Sequence, residues 1–242
     1  MNIQRQVPKS IAIMQPTFLP WIGYFSLIDC VDEFVFFDHV QFEKRSWQQR
    51  NKIRTPNQEM WLSVPISSKG KQSQAIKDAE ILYDGKKSPF KKIMGSIEAN
   101  YKKAPYYKDY GEELNVFFQG QPKFISDLNQ DVIRWMCGKL AVATPIVRSS
   151  DLDVIGTKAD LLVDVCQARK AMRYVSTPGS KVYLDESDAF ELSGISLSYH
   201  EYVHPSYSQI HGEFVPFMSV LDLLFNEGPA SGEIMRSGRN DT

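Results

Sequence analysis

Apolar residues along the chain fall into short unbroken runs that alternate with stretches of helical spacing. Ile11 to Met14 is such a run, and it has the length of a strand that is buried on both faces. From Trp21 onward the apolar residues recur at helical spacing, and a second run, Phe34 to Phe37, ends at Asp38. Residues 11–38 therefore predict a parallel strand–helix–strand unit.

The loop between this first strand and its helix is the first candidate ligand site. Pro16 and Pro20 restrict its backbone, and it leads to a helix N-terminus at the carboxyl edge of the sheet, where anions bind to free N–H groups. Gln15 and Thr17 are polar side chains that a purely structural strand end would not need, and Gly23 allows a ligand to approach the backbone closely. A tight strand-to-helix turn without a ligand is the alternative interpretation.

The alternation of strands and helices continues along the chain, with one long interruption. The patterns predict helices over residues 88–101, 123–142, 158–170 and 214–228, and strands over 61–66, 76–83, 144–150, 173–176 and 195–199. Such alternation predicts an α/β fold with a Rossmann-like, doubly wound parallel sheet. We expect a single α/β domain over residues 11–228, with 39–142 as a mixed α/β insertion between the second and third strands, and a disordered tail over 229–242.

Composition places the chain among ordinary globular proteins. Its 242 residues are 43% hydrophobic and 24% charged, which provides enough apolar side chain for a large core. A formal net charge of −1 argues against a general nucleic-acid binder, because such proteins carry a basic excess. No apolar stretch reaches the length of a membrane span, and the N-terminus lacks the apolar core of a signal peptide. We therefore expect a cytoplasmic protein without a nucleic-acid or membrane partner.

The segment after the second predicted strand is rich in basic and amide side chains. It leaves the sheet at the same carboxyl edge as the first loop, so its side chains are expected near the same ligand. Arginine can bind a phosphate through two hydrogen bonds, and lysine acts on it as a point charge. A solvated surface loop would have a similar composition. The candidate binding residues of this segment are Asp38, Gln41, Lys44, Arg45, Trp47, Arg50 and Asn51.

The segment from Tyr199 to His211 contains three of the four histidines. In an extended chain His200, Tyr202 and His204 share one face. A metal site, a polar wall facing a substrate and plain packing are three interpretations of this cluster; the segment lacks the helical histidine spacing of many metal sites, and we assign no metal. Its binding candidates are Tyr202, Tyr207 and Gln209, and Ser176 at the end of another predicted strand is a further one.

Two expectations concern side chains in apolar surroundings. Cys30, Cys137 and Cys166 lie at wide spacing in apolar helical patterns, which predicts buried, reduced thiols and no catalytic cysteine beside a base. Asp222 also lies in an apolar helical pattern, where an unpaired carboxylate is costly. We expect it to anchor a basic residue or to orient a histidine.

The tetrad Trp21-Ile22-Gly23-Tyr24 lies where nucleotidyltransferases of the adenylyltransferase type carry His-x-Gly-His on the same strand–loop–helix. Neither histidine is present in this chain. Trp21 and Tyr24 can stack on a base or bond a phosphate, but they cannot supply imidazolium charge to a transition state. The similarity therefore supports a nucleotide-type pocket and weakens the case for that chemistry.

Three longer motifs together resemble the WbqC-like protein family. They are residues 15–25, the run from Asp38 to Asn51, and His204-Pro-x-Tyr207-x-Gln209 with the following residues 219–228. The similarity runs in register from about residue 11 to residue 228. The resemblance implies a bacterial protein encoded beside genes for O-antigen, the polysaccharide of lipopolysaccharide, or for other surface polysaccharides. The resemblance thus indicates a genomic context, surface-polysaccharide genes, but no particular reaction.

These observations favour an enzyme that binds a nucleotide or a nucleotide-activated amino sugar and catalyses group transfer, including amide formation on the sugar. Enzymes similar to pantothenate synthetase share the predicted sheet and form amides through an acyl adenylate, so ATP is a candidate cofactor. The alternative is a non-catalytic module that binds a nucleotide sugar in the same pocket. Either hypothesis requires polar segments from both ends of the chain to meet over one rim of the sheet.

Roles follow for the candidate residues in this scheme. Backbone N–H groups around Gly23, with Lys44, Arg45 and Arg50, would hold phosphates, and His200 or His204 would act as general base. The candidate catalytic residues are His200, His204 and Lys44. Side chains expected to orient sugar or amide groups are Gln15, Asn51 and Gln209.

Overall fold

A computed structural model describes residues 8–71, 73–85 and 87–240. Its helices and strands follow one another along the chain as β1 (Ser10–Met14), α1 (Ile22–Asp29), β2 (Glu33–Phe36), β3 (Arg50–Arg54), β4 (Glu59–Ser63), α2 (Pro89–Tyr101), α3 (Tyr107–Gln119), α4 (Ile125–Lys139), β5 (Ile146–Arg148), α5 (Lys158–Ala168), β6 (Arg173–Ser176), α6 (Lys181–Asp185), α7 (Ala189–Ser193), β7 (Ser196–Tyr199), α8 (Val220–Glu227) and α9 (Ser231–Ser237).

The main sheet has five parallel strands in the order β5-β2-β1-β6-β7. Chain order runs outward from β1 through β2 to β5 and then resumes on the other side of β1 with β6 and β7. This reversal is the doubly wound arrangement of a Rossmann-like α/β fold, which confirms the predicted fold class. The long segment between β2 and β5 carries the second sheet and helices α2 to α4.

The described chain divides into two compact units. The first, here called the sheet unit, contains the residues up to Met14 together with 27–37 and 144–201. The second, here called the helical unit, contains residues 15–26, 38–143 and those from Tyr202 on. The helical unit therefore takes in more of the chain than the expected insertion over 39–142.

The sheet unit has a continuous apolar core. Ile11 and Ile13 of β1 and Val35 of β2 are buried together with residues of α5 and α7. The unbroken apolar runs of β1 and β2 are what such a core requires, because a strand covered on both faces has no side exposed to water and therefore needs no polar residues. One polar residue of β2, Glu33, is buried as well, and it accepts two hydrogen bonds from the guanidinium of Arg169 at 2.7 Å each.

The helical unit contains an antiparallel hairpin. Strand β3 pairs with β4 so that Arg50 lies opposite Ser63 and Lys52 opposite Trp61. Helix α2 begins as predicted, since the Ser88 hydroxyl accepts from Phe90 N and Pro89 occupies the first helical position. No strand was predicted over residues 50–54, where the sequence reads as a polar loop.

Three local predictions were wrong. The strand predicted over residues 76–83 is instead a 3-10 turn at Ile76–Asp78 followed by isolated bridges. Helix α8 begins at Val220 rather than near Pro216, because Phe217 has a left-handed φ of 62° and Ser219 is the residue that caps Leu221 N. The expected disordered tail forms helix α9, whose Met235 is fully buried, and its last two residues lie outside the described part of the chain.

No helix in the described residues combines the length and the apolar character that crossing a membrane requires.

Candidate functional site

The loop that follows β1 is held by side chains from β3 and α4. The Asn51 amide donates to the carbonyl oxygens of Phe18 at 3.1 Å and Leu19 at 2.7 Å. Asn129 donates to the Pro16 carbonyl at 3.0 Å. These bonds fix a backbone that passes through a left-handed φ of 47° at Leu19, and they use both amide hydrogens of Asn51. The structure therefore places Asn51 as a support of the loop rather than as a free hydrogen-bonding group.

Buried polar side chains surround the ends of this loop. Gln48 donates to Gln15 Oε1 at 2.9 Å, and Gln130 donates to Asp38 Oδ2 at 3.2 Å. Gln48, Gln130 and Asp38 are all buried. Asn129 Oδ1 and Gln130 Oε1 are buried acceptors that receive no hydrogen bond from the described protein groups. Because an unsatisfied buried acceptor is costly, both oxygens are available to accept a hydrogen bond from a water or a ligand.

Two tryptophans of the same region are exposed. The side chains of Trp47 and Trp61 are 50% and 43% exposed, and their ring centroids lie 5.3 Å apart. The guanidinium carbon of Arg50 lies 4.4 Å from the Trp61 ring centroid, and Lys52 Nζ lies 5.3 Å from it. The pairing of β3 with β4 puts these cations beside the indole, since cross-strand neighbours share a face of the hairpin. We call Trp47, Arg50, Lys52 and Trp61 the Trp–Arg face.

Segment 46–50 joins the Trp–Arg face to the buried polar cluster. Neighbouring side chains of this segment lie on opposite sides, so that Trp47 points to solvent while Gln48 is buried against Gln15. The Trp47 carbonyl also accepts from Phe18 N at 2.8 Å. An exposed aromatic surface and a buried hydrogen-bonding cluster therefore lie on one short piece of chain.

Lys44 and Arg45 lie at the tip of a compact loop before this segment and are exposed. The loop is shaped by side chains that bond its own backbone. Gln48 Oε1 accepts from Glu43 N at 2.9 Å, and Gln49 Oε1 accepts from Arg45 N at 3.0 Å. Gln41, earlier in the same loop, is also exposed and forms an isolated bridge with Ala75.

The tetrad at the start of α1 is closely packed. A Cβ atom at Gly23 would lie 2.2 Å from Cη2 of the Trp21 indole, so the glycine makes room for that ring. Tyr24 is buried and its hydroxyl donates to the Gln15 carbonyl at 3.0 Å. Burial raises the pKa of Tyr24 well above its usual value. Thr17 is half-buried on the loop.

His204 lies among aromatic rings. The ring centroid of Trp21 is 6.0 Å from that of His204 in a stacked arrangement, and the rings of Tyr207, Phe214 and Phe217 lie between 5.2 and 6.2 Å away. His204 Nδ1 is 2.9 Å from the Pro205 carbonyl, which can only accept, so Nδ1 carries the proton and Nε2 carries the lone pair. Nε2 is buried and receives no hydrogen bond from the described residues. Burial lowers the pKa of His204, which keeps the imidazole neutral at pH 7.

Asp222 is fully buried and is held by hydroxyl and amide groups. Its oxygens accept from the Tyr101 hydroxyl at 2.7 Å, the Tyr207 hydroxyl at 2.8 Å and the Gln209 amide at 2.7 Å. Burial raises the pKa of Asp222, and these three donors oppose that rise. The predicted histidine partner was wrong, because the hydrogen bonds to this carboxylate come from hydroxyl and amide groups. A basic residue does contribute, since the charge of Arg54 also lowers the pKa of Asp222, although less than the three donors do.

Several predicted binding residues form hydrogen bonds within the protein, two of them to Asp222. Gln209 uses both amide hydrogens on Asp222 and the Val215 carbonyl, and its oxygen accepts from Val215 N at 2.8 Å. The Tyr202 hydroxyl donates to the Met235 carbonyl at 2.8 Å, and its ring meets Trp21 edge to face. Tyr202, Tyr207 and Gln209 thus hold the 202–218 segment in place.

Ser176 and His200 belong to the sheet unit. The Ser176 hydroxyl lies 2.7 Å from that of Ser180 and donates to the Tyr174 hydroxyl at 3.2 Å. His200 N donates to the Ser176 carbonyl at 2.8 Å. Whether these two residues share a site with the Trp–Arg face stays a prediction.

The cysteine prediction was right for two thiols and wrong for the third. Cys137 and Cys166 are buried, but Cys30 is exposed, with its sulfur 3.7 Å from His200 Nδ1. The sulfur also lies 3.2 Å from the Leu27 carbonyl, to which it donates. Cys30 directly follows the last residue of α1, and the helix dipole at this end disfavours a thiolate. Within the described residues no group of three or more His, Cys, Asp or Glu side chains could hold a metal ion.

Comparison with known proteins identifies relatives of the chain. A model of the WbqC-like protein family matches residues 15–234. The chain belongs to the WbqC-like protein family. Rv1507c, an uncharacterized protein of Mycobacterium tuberculosis, is 35% identical to this WbqC-like protein over 230 residues, which cover 94% of this chain and 98% of the relative. No solved structure matches the chain.

Sequence reasoning missed five residues of the site in this WbqC-like protein. Lys52 lay in the basic segment but was not selected as a binding candidate. The sequence did not predict a buried role for Gln48, Asn129 and Gln130, because amide side chains in a loop or an amphipathic helix usually face water. Trp61 could have been found, since it alternates with the buried Leu62 in a predicted strand and therefore had to lie on the opposite, exposed face.

Proposed function

We propose that this WbqC-like protein binds a nucleotide-activated sugar on the Trp–Arg face and catalyses group transfer on that sugar during assembly of a bacterial surface glycan such as O-antigen. The observation that carries the proposal is the exposed Trp47–Trp61 pair with the Arg50 guanidinium beside it. A nucleotide presents a flat base and a charged phosphate, and this face offers one matching group for each. Nucleic acid is not the proposed partner, given the net charge of −1.

Two physical arguments support binding. Stacking of a base on an aromatic side chain contributes about 1–3 kcal/mol. Arg50 forms no ion pair within the described part of the chain, whereas Lys52 pairs with Glu59. Arg50 therefore retains its hydrogen bonds for a phosphate, which a guanidinium can bind through two parallel donors. Lys44 and Arg45, exposed on the neighbouring loop, would add positive charge.

His204 is the proposed general base. The neutral state of His204, with its lone pair on Nε2, is the protonation state that a base needs. In the amide-forming version, a carboxylate attacks the α-phosphate of ATP, releases pyrophosphate and becomes an acyl adenylate. The sugar amine then attacks the acyl carbon, AMP leaves, and the base takes the proton of the amine. The proposed location is the cytoplasm, where ATP is available.

One observation favours the alternative of a non-catalytic binding module. Aromatic rings surround His204, and its Nε2 is buried, so a substrate must reach it through that cluster. A module would use the Trp–Arg face and would need no base. It would bind a nucleotide sugar and release it unchanged.

Calorimetric titration of the full chain with UDP, ATP and several nucleotide sugars tests the binding step. We expect Arg50→Met and Trp47→Ala each to weaken nucleotide binding about tenfold or more, because a charge-assisted hydrogen bond is worth about 1.5–3 kcal/mol and a stacking contact about 1–3 kcal/mol. Lys102→Met removes an exposed cation outside the Trp–Arg face and is the matched control. Equal affinity in wild type and Arg50→Met, with the fold intact by circular dichroism, would remove the phosphate role.

Mass spectrometry of the mixtures that bind distinguishes the enzyme from the module. The protein is incubated with ATP, amino-sugar nucleotides and a panel of carboxylates. New product that disappears in His204→Ala supports the enzyme. Binding without product in any combination supports the module.

A further inference from the structure

A cavity of about 320 Å³ opens beside the Trp–Arg face in the helical unit. Trp61 forms part of its wall, so one indole belongs to both features. The other wall residues come from β4, from the residues just after it and from α2, and they are Leu62, Ser63, Pro65, Pro89, Lys92, Ile93 and Ser96. Its volume lies at the lower end of the roughly 300–1,000 Å³ typical of small-molecule sites.

The lining combines apolar faces with free polar groups. The Trp61 indole and the rings of Pro65 and Pro89 present C–H and π surface to the cavity. The hydroxyls of Ser63 and Ser96 and the ammonium of Lys92 have no hydrogen-bond or ion-pair partner among the described residues. Flat apolar surface with a few available hydrogen-bonding groups is how proteins bind small polar ligands in a defined orientation.

A pyranose ring matches these features. Its axial C–H bonds form an apolar face that can pack on an indole, and its rim of hydroxyl groups bonds serine hydroxyls. A single unpaired ammonium favours a ligand with a negative charge.

We propose that this cavity, the Trp61 cavity, binds the sugar part of the ligand and selects an anionic pyranose, with Lys92 contacting its carboxylate or phosphate. As a subsite for the sugar, the assignment rests on the proposed function, in which the nucleotide lies on the adjoining Trp–Arg face. The affinity of the cavity for a free anionic sugar does not depend on that function.

The test is a titration of the full chain followed by NMR of the tryptophan indole N–H groups, with the Trp61 resonance assigned from Trp61→Phe. The probes are methyl glucuronide, glucose 6-phosphate and the neutral methyl glucoside, so that carboxylate, phosphate and uncharged ring are compared directly. We expect at least one anionic sugar to shift the Trp61 resonance and to bind about tenfold or more tightly than the neutral one. Lys92→Met should abolish that preference.

Lys91→Met is the matched control, because Lys91 is the preceding residue of α2 but does not line this cavity. The preference should persist in that variant. Equal binding of all three sugars, an unmoved Trp61 resonance, or the same loss in Lys91→Met and Lys92→Met would overturn the assignment.

Titration with UDP alone separates this proposal from the proposed function. If UDP binds and depends on Arg50 while the sugars show no preference, only the Trp61 cavity assignment fails. If UDP does not bind but the anionic sugars bind with dependence on Lys92, the cavity assignment stands and the nucleotide part of the proposed function fails.

Discussion

At the scale of single residues, the Trp21 indole occupies the space that a side chain at position 23 would need. Gly23 thus has a packing role at the start of α1, in the tetrad that suggested close approach of a ligand. The same indole contacts the rings of Tyr202, His204 and Phe217. Displacing it should therefore disturb the surroundings of His204.

Gly23→Ala should lower the free energy of unfolding by about 1–3 kcal/mol, because the added methyl group overlaps a ring that is itself packed. Urea unfolding followed by tryptophan fluorescence measures the change. Gly95→Ala is the control, since Gly95 lies within α2 and a Cβ there meets nothing within 4 Å. Alanine favours a helix over glycine, so this variant should be unchanged or more stable by up to about 1 kcal/mol. Equal effects of the two changes would rule out the steric explanation.

At the scale of secondary structure, Asp222 connects α8 to other parts of the helical unit. It is buried in α8, and Tyr101 at the end of α2 and Tyr207 before α8 both donate to it. Tyr101 also accepts from Arg54 N at 2.9 Å, which links the same carboxylate to β3. The buried acid thus accepts hydrogen bonds from two parts of the chain that are distant in sequence, α2 and the segment before α8, and Tyr101 links it to β3.

Tyr101→Phe and Tyr207→Phe should each lower the free energy of unfolding by about 1–3 kcal/mol, since each leaves the carboxylate short of a donor. The folded-state pKa of Asp222 is raised, so its ionisation disfavours folding as pH rises from the unfolded pKa of about 3.9 through the folded pKa. Losing a donor raises that pKa further, and the destabilisation should grow over that rise in pH. Urea titrations at several pH values measure both effects. Tyr110→Phe, whose hydroxyl has no hydrogen-bond partner among the described residues, should stay within about 0.5 kcal/mol of wild type.

At the scale of the whole molecule, the two compact units carry different reporters. All four tryptophans, Trp21, Trp47, Trp61 and Trp135, belong to the helical unit. Their fluorescence follows ligand binding and unfolding in that unit, so the sheet unit needs another probe. Amide hydrogen exchange of β1 and β2 supplies one.

Glu33→Gln should lower the free energy of opening at β1 and β2 by about 1–3 kcal/mol at pH 7, because it breaks the paired hydrogen bonds to Arg169. Arg169 holds the pKa of Glu33 below its usual value. The contribution is therefore fully present above an unfolded pKa of about 4.3 and is lost as pH falls through the folded pKa. The gap between wild type and variant should shrink in acid.

Glu113→Gln is the control for this change, since the Glu113 side chain is 46% exposed where it pairs with Lys139. Its effect on the free energy of unfolding should stay below about 1 kcal/mol. A gap between wild type and Glu33→Gln that widens in acid would contradict the assigned role of Arg169.

The fold was more readable from the sequence than the site was. Strands β1 and β2 were evident because their residues are apolar on both faces, and α2 was evident because Ser88 and Pro89 form a local start signal. Strand β3 was missed, because Arg50 and Lys52 are polar and only pairing with β4 makes the segment extended. The roles of the site residues Gln48, Asn129 and Gln130 are set by hydrogen bonds to residues that are far away in the chain.

The sequence by itself determined the α/β class, the positions of the first buried strands along the chain and the family, because local runs of apolar side chains and long motifs are properties of the chain alone. Only the tertiary structure decided that the Trp47 ring contacts the Trp61 ring, that Asn51 and Gln209 are occupied in supporting the backbone, and that Asp222 is shared by two tyrosines. The physical reason is the distance along the chain between the residues that determine each feature. Burial leaves a periodic trace in nearby residues, whereas the partner of a polar side chain is set by contacts between segments that can be more than one hundred residues apart.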